Sequence, residues 1–341
     1  MIKATINLNT IKQNLKTLKQ YLEPGVKICA VLKANAYGLG DITVARAIEN
    51  QVDMFAIAHI NEATRLRTAG ITKPILLLGI CQDIKAATRL GLIISVNSIN
   101  ELKRLPKNCK IHIKVNTGMN RYGISHIQEL EQIIKMSREN NIYIEGLLTH
   151  MAYETDNIPQ IDKQLERFKP FRELFKTHFP HGIVHAAPAG AAHYKPAQFD
   201  MVRVGKCLYG GFDGYQTALT ITAPIVTNQN LKPGDTVGYN ATFTAPDHMR
   251  IGIVACGYAD CTNIGFSNTG HVLVGKTPCK ILGRICMDSF MIDITNVHGK
   301  TATIIAPKNG VQIMDHVKQT GVIACNILCS LNFNRAEVIY K

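Results

Sequence analysis

The chain has 341 residues and a formal net charge of +13, with 46% hydrophobic and 18% charged residues. This composition is typical of a globular protein and argues against a disordered chain. The lysines are scattered through helical segments such as IKQNLKTLKQ, and no basic cluster is interleaved with aromatic residues. We therefore expect no nucleic-acid partner, despite the positive charge.

The N-terminal stretch MIKATINLNTIKQNL lacks the apolar core of a signal peptide, and no run of about 18 apolar residues occurs in the chain. These patterns predict a cytoplasmic protein with no membrane partner. The ten cysteines form no C-x-x-C pair and no cysteine–histidine spacing that suits a metal. We interpret them as free thiols and expect no metal site.

Short apolar runs alternate with amphipathic helical stretches from the N-terminus onward, which is typical of a parallel sheet with crossover helices. In chain order the runs are KICAVLKA (27–34), MFAIA (54–58), PILLLG (74–79), LIISV (92–96), IHIKVN (111–116), IYIEGLLTH (142–150), GIVHAA (182–187) and MVRVG (201–205). Eight such units predict an α/β fold, a TIM-type (β/α)8 barrel over residues 8–214.

The pattern changes beyond residue 215, where β-branched runs alternate with turn sequences such as KPGD, SNTG and LVGKTP. This change predicts a separate C-terminal all-β domain over residues 215–341, which also takes in a strand at residues 1–7.

Polar side chains follow several of the predicted strands, and barrel active sites lie at the carboxyl ends of the strands. They are Lys33 and Tyr37, Lys114 and Arg121, His150, His185, and Arg203 with Gly205. Lys33 alone leaves two interpretations open, a solvent-facing amine or a desolvated amine that forms a Schiff base with a carbonyl. A single histidine or arginine at a strand end is also often structural. Only the whole set of polar residues at these strand ends indicates an active site.

Seven motifs in order, AVLKANAYGLG, KVNTGMNRYG, LLTHM, MVRVG, VGYNATF, GYAD and GRICMD, resemble those of the bacterial alanine racemase family. The resemblance implies a fold-type III pyridoxal-phosphate enzyme that interconverts L-alanine and D-alanine by two-base proton transfer at Cα. It also implies D-alanine supply for peptidoglycan. The family is homodimeric, and each active site is completed by the β domain of the partner subunit.

The resemblance assigns the cofactor contacts residue by residue. Lys33 matches the lysine that carries pyridoxal phosphate, and Tyr37 matches a tyrosine that contacts its phosphate. Arg203 matches the arginine that faces the pyridine nitrogen, His185 a histidine that supports this arginine, and His150 a histidine linked to the tyrosine base. The backbone around Gly205 and Lys206 is expected to bind the phosphate as well.

The resemblance also assigns the substrate contacts. Arg121 matches a residue that contacts the cofactor phenol oxygen and the substrate carboxylate, and Lys114 matches a carbamylated lysine that orients it. Tyr239 of the partner subunit matches the second base, opposite Lys33. The remaining matches, near the substrate carboxylate and contributed by the partner, are Tyr258, Met287 and Asp288.

The match departs from the family pattern at several positions. The family's phosphate-binding serine corresponds to Ala189, after Pro188, and its second phosphate tyrosine corresponds to Cys325. We expect the Lys206 ammonium to replace part of this phosphate binding as a point charge.

Two further departures bear on the substrate. Asn116 replaces an aspartate and Cys261 a glycine, which leaves a broader-range racemase that also accepts serine as an alternative. Another alternative is a barrel that binds the cofactor without turnover, although Tyr239 and the GRICMD motif favour an enzyme. Arg203 argues against a decarboxylase, which would place an acidic residue at the pyridine nitrogen.

Overall fold

The computed structural model describes residues 1–341, and the backbone contacts divide them into two compact units. One unit comprises residues 16–205. The other comprises residues 1–15 together with residues 206–341.

Eighteen strands form the sheets of the two units. They are β1 (Ile2–Ile6), β2 (Lys27–Val31), β3 (Met54–Ile57), β4 (Ile75–Leu77), β5 (Ile93–Val96), β6 (Lys110–Lys114), β7 (Tyr143–Leu148), β8 (Ile183–His185), β9 (Met201–Val204), β10 (Leu219–Leu231), β11 (Thr236–Val237), β12 (Phe243–Thr244), β13 (Met249–Val254), β14 (His271–Val274), β15 (Thr277–Leu282), β16 (Phe290–Asp293), β17 (Thr301–Ile305) and β18 (Ala336–Tyr340).

Ten helical segments accompany the strands. They are α1 (Leu8–Lys19), α2 (Lys33–Tyr37), α3 (Asp41–Ile48), α4 (Ile60–Thr68), α5 (Ile84–Arg89), α6 (Ile99–Lys103), α7 (Ile127–Glu139), α8 (Ile158–His178), α9 (Ile313–Thr320) and α10 (Ala324–Cys329). In α7 the buried residues are Leu130, Ile133, Ile134 and Ser137, a spacing that places them on one helix face.

The unit of residues 16–205 is the predicted parallel barrel. Its eight strands follow the order β8-β7-β6-β5-β4-β3-β2-β9, and each predicted apolar run overlaps one of them. Backbone hydrogen bonds from Arg203 N to Ala187 O and from Asp200 N to Val184 O, both 2.9 Å, join β9 to the β8 segment and close the sheet. The prediction of a (β/α)8 barrel is therefore confirmed.

The register of the barrel strands places polar residues side by side at mid-height. Ser95 pairs with His112, His112 with Gly146, and Cys29 with Arg203. Because side chains alternate along a strand, His112 and Lys114 point to the same face of β6. The interior of this barrel is therefore partly polar, which requires hydrogen-bond partners within it.

The other unit is built on an eight-stranded sheet in the order β13-β16-β15-β14-β17-β10-β1-β18, with an additional pairing between β13 and β10. The N-terminal strand β1 pairs antiparallel with β10 and parallel with β18. A small two-stranded sheet of β11 and β12 lies in the same unit. The helices α9 and α10 add to the β domain that the sequence predicts.

None of the helices combines the length and the apolar character that a bilayer span requires.

Candidate active site

A cavity of about 320 Å³ opens at the carboxyl ends of the barrel strands. Five predicted site residues line it together with Tyr122: Lys33, Lys114, Arg121, His150 and Arg203. No acidic side chain is part of the lining. The cavity is therefore rich in positive charge and suited to an anionic ligand.

Lys33 opens α2, which is a left-handed turn rather than an ordinary helix. Ala34, Asn35, Ala36 and Tyr37 have φ angles of 54°, 56°, 52° and 58°. For residues with a Cβ atom this conformation costs about 1–2 kcal/mol each, so the surrounding structure must hold it in place.

Glu62 in α4 stabilises this turn. Its buried carboxylate accepts a hydrogen bond from Ala34 N at 2.6 Å, and it also accepts hydrogen bonds from Ala58 N and His59 N at 2.8 and 3.1 Å. Charge-assisted hydrogen bonds to backbone amides are among the stronger ones in proteins. Glu62 therefore fixes the segment that begins with Lys33.

The left-handed turn brings Tyr37 against the end of β9. A Cβ atom at Gly205 would lie 2.6 Å from the Tyr37 hydroxyl oxygen, so only glycine fits there. A phenol hydroxyl beside a backbone segment without a side chain is a suitable cradle for a phosphate oxygen. The structure thus brings together two of the predicted phosphate contacts.

Arg203 is buried in the barrel and its guanidinium is held on several sides. Nη1 lies 2.7 Å from Nδ1 of His185, and Nη2 donates to the carbonyl oxygens of Thr149 and Ala186 at 2.7 and 3.0 Å. Nη2 also lies 3.2 Å from Nδ1 of His150. These contacts leave the Nε hydrogen and one Nη1 hydrogen for a ligand.

Burial and the positive charge of Arg203 together set the protonation state of the two neighbouring histidines. Burial, and then Arg203, hold the pKa values of His150 and His185 well below their usual range, so both imidazoles are neutral. Burial lowers the pKa of Arg203 itself to about 10, so the guanidinium stays charged at neutral pH.

Lys114 lies at the end of β6, with its Nζ 5.0 Å from the centre of the Tyr122 ring. Burial lowers the pKa of Lys114 to about 8, with help from the charges of Arg121, Arg203 and Lys33. A substantial fraction of this amine is therefore unprotonated and nucleophilic near pH 8.

Asn116 builds the loop that carries Arg121. Its Oδ1 accepts hydrogen bonds from Gly118 N at 3.2 Å and Asn120 N at 3.0 Å, and its Nδ2 donates to Oδ1 of Asn120 at 3.1 Å. The side chain is occupied by this local turn, which an aspartate oxygen would also support. Cys261 is fully buried, with its thiol 3.4 Å from the carbonyl oxygen of Asn332.

Five predicted site residues lie in the unit of residues 1–15 and 206–341: Lys206, Tyr239, Tyr258, Met287 and Asp288. Tyr239, Tyr258 and Met287 are exposed by 66%, 41% and 54%, unusual values for large apolar side chains. Asp288 forms an ion pair of 2.8 Å with Arg335, which also contacts Asp260 at 2.6 Å.

The structure also shows where the two residues lie that replace the family's phosphate-binding serine and tyrosine. Ala189 opens a buried turn over Ala189–Ala191, and Cys325 is part of α10. Lys206 directly follows Gly205, and its Nζ lies 5.1 Å from the centre of the Phe212 ring. Neither Ala189 nor Cys325 offers the hydroxyl of the family pattern.

Two residues that the structure brings into the site were missed from the sequence. Glu62 lies a whole strand–helix unit away from the turn that it stabilises, and no local pattern reveals that contact. His112 could have been found, since in IHIKV it alternates with Lys114 and therefore shares its face of the strand.

The fold and the site define a barrel enzyme with an amine, a buried arginine and an excess of positive charge at the carboxyl ends of its strands. Residues 6–213 match the family model of the alanine racemase N-terminal domain, and residues 218–340 match that of the alanine racemase C-terminal domain. The chain belongs to the alanine racemase family.

Relatives and solved structures agree with this assignment. The alanine racemase of Streptococcus pyogenes serotype M5 is 33% identical, over 99% of this chain and 97% of the relative. The crystal structure of the biosynthetic alanine racemase from Pseudomonas aeruginosa has a TM-score of 0.90 at 26% identity, covering 100% of this chain and 99% of that one. The crystal structure of the alanine racemase from Bacillus anthracis with bound L-Ala-P has a TM-score of 0.88 at 28% identity. It covers 100% of this chain and 95% of that one.

We predict that Glu62→Gln weakens the turn that carries Lys33, because an amide replaces a carboxylate that accepts three backbone hydrogen bonds. The free energy of unfolding should fall by about 1–3 kcal/mol, and affinity for pyridoxal phosphate should fall about tenfold. Urea denaturation and cofactor titration measure the two effects.

Glu49→Gln is the matched control, because Glu49 also accepts two backbone hydrogen bonds, from Thr72 N and Lys73 N. It should leave cofactor affinity unchanged. Full cofactor affinity in Glu62→Gln would contradict the assigned role.

Proposed function

We propose that this protein interconverts L-alanine and D-alanine with pyridoxal phosphate as cofactor. The observation that carries the proposal is the cavity in which Lys33, Arg121 and Arg203 meet, in a chain matched over both of its domains by the alanine racemase models. The activity is also the one that the names of its relatives state.

The residues present fit this cofactor. The Lys33 amine lines the cavity, the Tyr37 hydroxyl lies against the Gly205 backbone, and Arg203 keeps two N–H hydrogens for a ligand. The excess of cationic side chains suits a phosphate and a carboxylate. When bound, the cofactor withdraws electrons from the substrate Cα and so acidifies its hydrogen.

In this proposal Arg203 would hold the pyridine nitrogen of the bound cofactor. A guanidinium does not give up its proton, so the nitrogen that it contacts stays unprotonated. Electron withdrawal is then weaker than with an acidic partner. This favours return of a proton to Cα over side reactions.

Two residues move the Cα proton in this proposal, one on each face of the substrate. The Lys33 amine acts on one face, and the Tyr239 phenolate of the partner subunit acts on the other. To act as a base, Tyr239 needs nearby cations that stabilise its phenolate form. Arg121 and Arg203 are the candidates, and His150 would link to the same tyrosine.

Arg121 binds the substrate carboxylate in this proposal, and Lys114 orients it. The lowered pKa of Lys114 supports carbamylation, because the unprotonated amine is the form that adds carbon dioxide. The resulting anion would pair with Arg121 and offset part of the positive charge of the cavity. Tyr258, Met287 and Asp288 would approach the same carboxylate from the partner subunit.

The phosphate is held mainly by Tyr37 and the backbone at Gly205 in this proposal. Lys206 would add a point charge in place of the two hydroxyls that are absent at Ala189 and Cys325. The position of Lys206 directly after the eighth barrel strand supports this role, since that end of the barrel often binds phosphate.

The protein acts as a homodimer with shared active sites in this proposal. The exposure of Tyr239, Tyr258 and Met287 supports it, because large side chains in a partner-completed site are exposed in a single subunit. The D-alanine would serve peptidoglycan synthesis.

We place the enzyme in the cytoplasm, and buried thiols support a reducing compartment. Seven cysteines are buried free thiols: Cys29, Cys81, Cys109, Cys207, Cys256, Cys261 and Cys279.

The structure gives no support to the two alternatives. The Asn116 side chain is occupied by its own turn and Cys261 is buried, and neither residue lines the cavity. A cofactor carrier without turnover would not explain the exposed Tyr239.

The purified protein with pyridoxal phosphate should form D-alanine from L-alanine, and serine should react much more slowly. Borohydride reduction followed by peptide mapping should find the cofactor on Lys33. Lys27→Ala, at the other end of β2, is the control and should change neither result. Absence of D-alanine, or an adduct on another lysine, would overturn the proposal.

Tyr239→Phe should slow Cα hydrogen exchange about 100-fold or more for one enantiomer of alanine only, because one of two bases is removed. Exchange in deuterated water, followed separately for L- and D-alanine, measures this. Cofactor affinity should stay unchanged. Equal losses for both enantiomers, together with loss of cofactor, would show a structural role.

Carbon-13 NMR with labelled bicarbonate should show a carbamate signal from Lys114. Its intensity should rise from pH 7 to pH 9, because the amine with a pKa of about 8 loses its proton in this range. Lys114→Gln should abolish the signal, whereas Lys110→Gln, at the other end of β6, should retain it. A signal that survives in Lys114→Gln would place the carbamate elsewhere.

A further inference from the structure

A second histidine lies behind the arginine-binding His185 in the barrel interior. Nδ1 of His112 is 2.8 Å from Nε2 of His185, whose own Nδ1 is 2.7 Å from Nη1 of Arg203. All three side chains are buried, His112 and His185 completely. The three residues form a continuous hydrogen-bonded chain across strands β6, β8 and β9.

The chemistry of these groups fixes the direction of each hydrogen bond. A guanidinium only donates, so Nδ1 of His185 carries no proton and accepts. His185 is neutral, so its proton is on Nε2 and is donated to His112. Nδ1 of His112 must then be unprotonated as well, which agrees with a pKa of about 3 for this buried ring.

The orientation of the His112 ring is fixed by packing. A Cβ atom at Gly146, its register neighbour on β7, would lie 2.8 Å from three atoms of the ring. The ring meets that of His185 edge-on, with centroids 4.9 Å apart and planes at 68°. Nε2 of His112 has no protein partner. The bond to His185 is therefore the one protein hydrogen bond that this imidazole makes.

We propose that His112 is a positioning residue for Arg203. Its unprotonated Nδ1 holds His185 in the Nε2–H tautomer, and this tautomer keeps His185 an acceptor for the guanidinium. Without an acceptor at position 112, the buried Nε2–H of His185 loses its partner and the Nδ1–H tautomer gains population. In that tautomer the Nδ1 hydrogen of His185 points at the Arg203 guanidinium, which also carries only hydrogens. The guanidinium is then displaced.

An isosteric pair of substitutions separates this role from simple packing. The Asn side chain places its oxygen where Nδ1 of histidine lies, whereas Leu has the same shape without an acceptor. His112→Asn should therefore keep His185 in the Nε2–H tautomer, and His112→Leu should shift it toward Nδ1–H. Ser95→Ala is the control, because Ser95 pairs with His112 in register and its hydroxyl has no partner.

Nitrogen-15 NMR of histidine-labelled protein without cofactor reads the tautomer directly. The unsubstituted protein decides the matter even if a variant fails to fold, since a His185 with its proton on Nδ1 would overturn the proposal. An unchanged His185 tautomer in folded His112→Leu would overturn it too. The proposal is supported if His185 loses the Nε2–H tautomer in His112→Leu and retains it in His112→Asn and in Ser95→Ala.

A second readout rests on the proposed role of Arg203 at the pyridine nitrogen. In His112→Leu the fraction of turnovers that end in transamination should rise about tenfold, and in His112→Asn it should stay close to that of the unsubstituted enzyme. If the His185 tautomer shifts in His112→Leu but the transamination fraction does not change, the role of His112 stands. The assignment of Arg203 to the pyridine nitrogen then fails.

Discussion

The buried guanidinium of Arg203 is the group on which the rest of the site depends. A charge in the barrel interior is costly unless every nearby partner accepts hydrogen bonds. The carbonyl oxygens of Thr149 and Ala186 and the unprotonated nitrogens of His150 and His185 meet this requirement. Burial, reinforced by this charge, keeps both imidazoles neutral. Both rings can therefore accept hydrogen bonds from the guanidinium.

The second constraint is the excess of positive charge around the cavity. Lys33, Lys114, Arg121 and Arg203 line it without an acidic side chain to balance them. Burial, together with their mutual repulsion, lowers the pKa of Lys114, and the repulsion raises the free energy of the ligand-free site. An anionic ligand that binds only the folded state removes part of this repulsion. Cofactor binding should therefore stabilise the fold by mass action as well as supply the chemistry.

The sequence predicts what is local or periodic. Eight apolar runs located the barrel strands, and the rule that barrel sites lie at strand ends brought Lys33, Lys114, His150 and Arg203 together. The sequence could not predict the left-handed turn of Ala34–Tyr37, because only Asn35 among those residues favours that conformation. The turn depends on Glu62, whose contact with Ala34 N is a tertiary one.

This tertiary support explains why a strained segment lies where it does. Four consecutive left-handed residues, at about 1–2 kcal/mol each, would unwind in isolation. The carboxylate of Glu62 and the close fit between Tyr37 and Gly205 hold the segment from both ends. Because Lys33 and Tyr37 lie at opposite ends of this one turn, their separation is fixed by its backbone. The backbone positions from which the two side chains extend are thus preorganised, and strain in the turn is offset by interactions outside it.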